Sequence, residues 1–158
     1  MPLDLLTKGK AMKLFLLAMT LLLANVVFAG QTYGSLQIDE VVSVYDGDTI
    51  KVNINELHPI VGEKISVRIN GVDTPEIKGK CAQERELAKL ARAYVTEKLK
   101  GAKHIEIRNI QRGKYFRLVA DVYADERDLG ELLLQAKLAV PYDGKGPKYN
   151  WCKSLPAN

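Results

Sequence analysis

The chain has 158 residues, 47% of them apolar and 27% charged, the balance of one ordinary globular domain with its own core. That composition excludes collagen-like, coiled-coil, disordered and multi-span membrane chains. Lys and Arg outnumber Asp and Glu by 23 to 19, so the pI near 9.0 records a small excess and not a polybasic chain. Two cysteines, Cys81 and Cys152, are too few for a disulfide scaffold or a four-thiolate zinc site, and His58 and His104 fit no zinc-helix spacing.

At the N-terminus, residues 14–29 read LFLLAMTLLLANVVFA without a charge. This is shorter than the about 20 apolar residues that a membrane span needs. Lys8, Lys10 and Lys13 precede it and Val27-Phe28-Ala29 closes it with a small-x-small pattern. Residues 1–29 are therefore expected to be a signal peptide cut after Ala29, with Met12 an alternative start. No cysteine follows the apolar run, which argues against a lipid anchor. The destination is secreted or periplasmic, without stable membrane association after cleavage. Removing three Lys and one Asp leaves 129 residues with 20 basic and 18 acidic groups. A grip on a polyanion must then come from a local patch. Export also places Cys81 and Cys152 in an oxidising compartment, where a disulfide between them is expected.

The mature chain, residues 30–158, opens with a polar, small lead-in over residues 31–36. Val41 to Val44 reads as a strand entering the Asp46-Gly47-Asp48 turn. Ile50, Val52 and Ile54 alternate with Lys51 and Asn53, the period of a half-buried strand, and Ile65, Val67 and Ile69 repeat it after a loop from Asn55 to Gly62. The period then changes. Leu87, Leu90, Ala91, Tyr94, Val95 and Leu99 predict a helix over about 82–100, stopped by Gly101. Ile105 and Ile107 begin a fourth strand, and Phe116, Leu118, Ala120 and Val122 alternate through a fifth, with Phe116 in the core and Arg117 facing outward. Asp125-Glu126-Arg127 makes a turn. Asp128 with Glu131 resembles a capping box that opens a short helix to about Leu138. The tail, residues 143–158, reads as irregular. Together these elements predict an α+β domain: a five-stranded barrel with one helix between strands three and four and a short C-terminal helix.

Three stretches carry chemistry. Asp46-Gly47-Asp48-Thr49 offers hard oxygen ligands for Ca²⁺ or Mg²⁺, although an Asp-Gly turn alone would look the same. In Arg68-Ile-Asn-Gly-Val-Asp73-Thr74-Pro75-Glu76, the proline fixes a turn that could hold Asp73 and Thr74 towards a cation and aim Glu76 elsewhere. Arg112-Gly-Lys114-Tyr115-Phe116-Arg117 interleaves cations with aromatics, suited to phosphate contact and base stacking. No P-loop or dinucleotide fingerprint occurs. Hard carboxylates, an activatable water and forked cations match phosphodiester hydrolysis.

In this order and with these gaps, V-Y-D-G-D-T, R-I-N-G-V-D-T-P-E and G-K-Y-F-R resemble the staphylococcal nuclease family over about residues 38–142. The resemblance implies an OB-fold barrel and a Ca²⁺-dependent nuclease that cleaves DNA and RNA to 3′-phosphates; a monomer is expected. It implies that Asp48, Asp73 and the Thr74 carbonyl hold calcium, with Asp46 a supporting carboxylate. Arg68 and Arg117 would clamp the scissile phosphate, Glu76 would act on the attacking water, and Lys114, Tyr115 and Tyr142 would touch the nucleotide. Two departures are visible. Phe116 stands where the best-known member has glycine, and the family's third helix is missing or replaced by the Trp151-Cys152 tail. The alternative reading is a non-catalytic OB-fold nucleic-acid-binding module, against which the retained Arg68, Glu76 and Arg117 speak.

Mass spectrometry of the exported protein should find Gly30 at its N-terminus. Recovery of the intact chain in the membrane fraction would overturn that expectation.

Overall fold

The structure, a computed structural model, describes residues 32–153. The expected signal peptide, its cleavage after Ala29 and the alternative start at Met12 lie outside them. Among the described residues the order is β1 (Leu36–Gln37), β2 (Glu40–Val44), β3 (Thr49–Asn53), α1 (Pro59–Gly62), β4 (Ile65–Ile69), β5 (Val72–Asp73), α2 (Ala82–Gly101), β6 (Ile105–Arg112), β7 (Leu118–Ala124), β8 (Arg127–Asp128), α3 (Leu129–Gln135) and β9 (Val140–Pro141). No helix among these residues is long and apolar enough to cross a membrane.

The main sheet runs β1-β6-β7-β4-β3-β2, with β8 on β7. Only β4 and β7 pair in parallel. The chain switches partner between β1 and β2: Leu36 and Gln37 pair with β6, Ile38 N–H bonds Ile105 at 2.9 Å, and then Asp39 N–H bonds Asn53 at 3.0 Å. One run of backbone thus touches both ends of the strand order, and the sheet curls around its apolar face. Ile50, Val52, Val67, Ile69, Ile107 and Val122 fill that interior, each almost wholly buried. From the helix, Ala88, Ala91, Val95 and Leu99 are buried as well. The result is a curled, mostly-sheet α+β domain with three helices, similar to an OB fold.

Five strands are five residues or longer, and four two-residue segments, β1, β5, β8 and β9, add to the five expected. Of the loose lead-in expected over residues 31–36, residues 32–35 are irregular, and β1 begins at its last residue, Leu36. The loop at 55–62 holds one helical turn: Pro59 supplies the fixed φ at its start, and His58 Nδ1 accepts from Ile60 N–H at 3.3 Å. Leu90 is exposed, because the smaller Ala88 takes the buried position on α2. Asp128 caps α3 by accepting from Glu131 N–H at 3.0 Å. That helix ends at Gln135 and not Leu138. Lys137 turns left-handed at φ 56°, and Lys137 and Leu138 bond back to Leu134 and Leu133, closing a Schellman motif.

Phe116 is the clearest correction. It lies outside β7, 59% exposed, with the Arg112 guanidinium 5.7 Å from its ring centroid. Tyr115 and Phe116 both adopt positive φ, 56° and 59°, within a turn closed by Arg117 N–H to Lys114 O at 3.2 Å. A two-residue hairpin turn of this handedness matches the sheet twist but turns both central side chains out to solvent. Arg117, expected to face outward, is partly exposed just before β7, out of step with the buried Ala120 and Val122.

The tail is irregular but anchored at two points. β9 pairs with β5, placing Val140 opposite Asp73. Cys81, the N-cap of α2, is joined to Cys152 by a disulfide with its Cα atoms 6.0 Å apart, and Trp151 is buried beside it. No third long helix follows α3 among the described residues. The disulfide closes a loop across a sequence separation of 71. Serine at both positions should therefore lower the unfolding free energy by about 4 kcal/mol, the chain-entropy value for such a loop. Urea denaturation measures it, and a loss under about 1 kcal/mol would show that the tail stabilises nothing.

Candidate active site

The first acidic turn lies between β2 and β3. Tyr45 N–H bonds Thr49 O at 2.9 Å, and Asp46 Oδ1 accepts from Asp48 N–H at 3.2 Å, which folds the turn over its own aspartate. Gly47 is required by a close approach. A Cβ there would come within 2.8 Å of both the Ala91 methyl on α2 and the Thr74 side chain. Glycine therefore lets this turn and the 73–76 segment lie against one another.

Arg68 joins the two. In the β3–β4 register it stands opposite Thr49. Its Nη1 donates to Asp48 Oδ1 at 2.7 Å, and its Nη2 donates to Val72 O at 3.1 Å and lies 3.5 Å from Asp73 Oδ1. Thr49 Oγ1 donates to Asp48 Oδ1 at 2.8 Å and Thr74 N–H reaches Asp48 Oδ2 at 3.3 Å. Asp46, Asp48, Asp73 and Thr74 are each buried to within 3% exposure, although two of their oxygens, Asp73 Oδ2 and Thr74 Oγ1, have no hydrogen-bond partner.

Glu76 is oriented by a residue the sequence reading passed over. Glu84, buried in the first turn of α2, accepts from Lys80 N–H at 2.9 Å and from Glu76 N–H at 3.4 Å. Its carboxylate thereby satisfies the backbone of the loop that carries Glu76. The signal was the Cys81-x-x-Glu84 spacing of a helix start, which the periodicity of the apolar residues overshadowed.

A cleft of about 670 Å³ is lined by residues that include Asp46, Arg68, Glu76, Arg117, Tyr142 and Lys148, whereas Asp48, Asp73 and Thr74 are buried and do not line it. Lys114 reaches it as well, whereas Tyr115 is 96% exposed and does not line it. The expected substrate set thus comes together without that tyrosine. The parallel pairing of Val67 with Leu118 sets Arg117 beside the strand carrying Arg68. Arg117 forms no ion pair with the described residues, and its buried Nε lacks a hydrogen-bond partner. Lys148, which the sequence reading left in an irregular tail, lies 3.2 Å from Asp73 Oδ1 and is ion-paired to Glu76 Oε1.

The electrostatics are those of crowded, poorly solvated acids. Burial, reinforced by the charges of Asp48 and Glu76, pushes the Asp46 carboxyl up to about 7. Burial also raises Asp48, against the opposing pull of Arg68 and the Thr49 hydroxyl. Burial works against the Lys148 ammonium, but Glu76 and Asp73 outweigh it and hold its pKa above the usual lysine value. A hard divalent cation beside Arg68 and Lys148 would relieve this crowding of acids. The donors are carboxylate, hydroxyl and carbonyl oxygens, and the open, buried Asp73 Oδ2 is a ligand atom without a partner, so the residues fit Ca²⁺.

Comparison with known proteins agrees with this geometry. No curated protein matches the chain. The family model described as staphylococcal nuclease homologue matches residues 66–155, more than half of the chain. Arg68, Asp73, Glu76, Arg117 and Lys148 fall within the match, and the Asp46–Asp48 turn precedes it. Because that match covers more than half of its length, the chain belongs to the staphylococcal nuclease family.

Proposed function

We propose that this protein is an exported, Ca²⁺-dependent nuclease that hydrolyses phosphodiester bonds of DNA and RNA. The observation that carries the reading is the unpaired Arg117 guanidinium lining the same cleft as Arg68 and Glu76. A cation left without an anion, with an unpartnered Nε, is a binding element for a ligand that brings negative charge.

Asp48, Asp73 and Thr74 would hold the calcium ion, with Asp46 supporting them. When bound, the ion supplies Lewis-acid stabilisation of phosphoryl oxygens. The protein's own groups do the rest. Arg117 and the donors of Arg68 not spent on Asp48 and Val72 would hold the non-bridging oxygens, tightening as charge accumulates on the pentacoordinate phosphorus. Glu76, once its carboxylate is free of Lys148, would orient and accept a proton from the attacking water. Lys114 and Tyr142 would contact flanking phosphate and nucleotide. Tyr115, on the exposed turn, would reach substrate only beyond the cleft. A binding module without chemistry would have no use for the Glu76 carboxylate beside Arg68 and Arg117 in this cleft.

Two measurements test this reading. Purified protein should degrade DNA and RNA with Ca²⁺, poorly with Mg²⁺, because a loose oxygen set suits the larger ion better than strict octahedral geometry. Full activity in a calcium-selective chelator would contradict the metal assignment. Arg117→Lys should lower kcat by at least about 10²-fold, by analogy with loss of one oxyanion donor. The thermal midpoint should stay near the wild-type value, because Arg117 forms no ion pair among the described residues. A lysine presents one compact charge where the fork gives two parallel hydrogen bonds. Wild-type kcat in that variant would remove Arg117 from the catalytic set.

A further inference from the structure

We propose that Lys148 is a tethered competitor of the divalent cation: its ammonium holds part of the cation's own ligand set, so that metal binding must displace it. The proposal rests on Asp48, Asp73 and Thr74 being the cation's ligands and deepens that reading. Lys148 bridges Asp73 Oδ1, at 3.2 Å, and Glu76 Oε1. Both partners lie in the acidic segment proposed for metal and water, and neither contact is local, since Glu76 is 72 positions away in sequence. Asp73 is 1% exposed, so the ammonium is not a loose surface pairing but the cover over a buried carboxylate.

The tether gives the competition its strength. Upstream, β9 pairs with β5 and Tyr142 N–H bonds Gly71 O at 2.9 Å. Downstream, Cys152 is bonded to Cys81 at the start of α2. The ammonium is therefore presented to the site at the high effective concentration of a short bridge fastened at both ends. A divalent ion takes carboxylate oxygens at about 2.3–2.6 Å, closer than the ammonium now sits to Asp73. Arg68 Nη2 and Lys148 Nζ already lie 3.5 and 3.2 Å from Asp73 Oδ1, so a divalent ion there adds two further like charges, and the ammonium, on the more mobile side chain, is the one repelled. Lys145, three positions earlier on the same tail, forms no ion pair among the described residues and is the natural control.

Isothermal titration of Ca²⁺ into the purified, oxidised protein at low ionic strength tests this without any turnover. Lys148→Met keeps the side-chain length without the charge and should bind Ca²⁺ at least about ten-fold more tightly than wild type. Lys145→Met should stay within about two-fold, because a charge out in solvent is largely screened. The C81S/C152S double variant should move the wild-type affinity towards that of Lys148→Met, and should add nothing in the Lys148→Met background. Equal or weaker affinity in Lys148→Met overturns the competition and leaves the metal site standing. An equal gain in Lys145→Met overturns it as well, showing only a generic charge effect. No calcium binding in either wild type or Lys148→Met overturns the metal reading and the competition together.

Discussion

The Arg68 guanidinium, set between Asp48, Asp73 and the Val72 carbonyl, is the interaction on which the site depends. It stands on a central strand and reaches two acidic segments that are far apart in sequence. Without it, Asp48 would keep only hydroxyl and amide donors, and Lys148 would be the one cation left on Asp73 among the described residues. Loss of one member of a buried pair usually costs about 3–5 kcal/mol, because the other charge is left uncompensated. Here the cost would fall on the place proposed for the chemistry. The same guanidinium is proposed to touch phosphate, so structure and catalysis draw on different donors of one side chain.

The second constraint is packing. Gly47 lets the first acidic turn press against Thr74 and Ala91, and Pro75, buried next to Thr74, fixes the backbone that follows. Burial at this joint is what raises the Asp46 and Asp48 carboxyls. A site made from buried acids is unfavourable while it is empty of positive charge, which is why cations converge on it: Arg68 from the sheet and Lys148 from the tail.

Much of this was legible in the residues. Strict alternation at Ile50-Val52 and Ile65-Val67-Ile69 marks strands that bury one face, and each lies buried where alternation puts it. Asp128 and Glu131 announced a helix start by chemistry alone. The failures have physical causes. The residues around β1 carry too little periodicity to announce a strand whose pairing is decided by distant β6. Parity carried Phe116 into the core because alternation says nothing about where a hairpin turns left-handed. Lys148 has no local signature, since it acts on residues that only the folded chain brings near, and Glu84 shows only as part of the Cys81-x-x-Glu84 helix start. The nuclease-like motifs marked the walls of the cleft, while the groups that orient and neutralise them had to be read from the structure.

The pairing of β5 with β9 and the bond from Cys81 to Cys152 make residues 72–81 and the tail two sides of one closed ring. Synthesis delivers the chain N-terminus first, so the curled sheet can assemble while the strand and cysteine that complete the ring have yet to be made. The acidic segment then waits as an open arm, its two ends unmatched, until the last stretch of polypeptide arrives. Closure of the ring around the site therefore depends on residues that are made last.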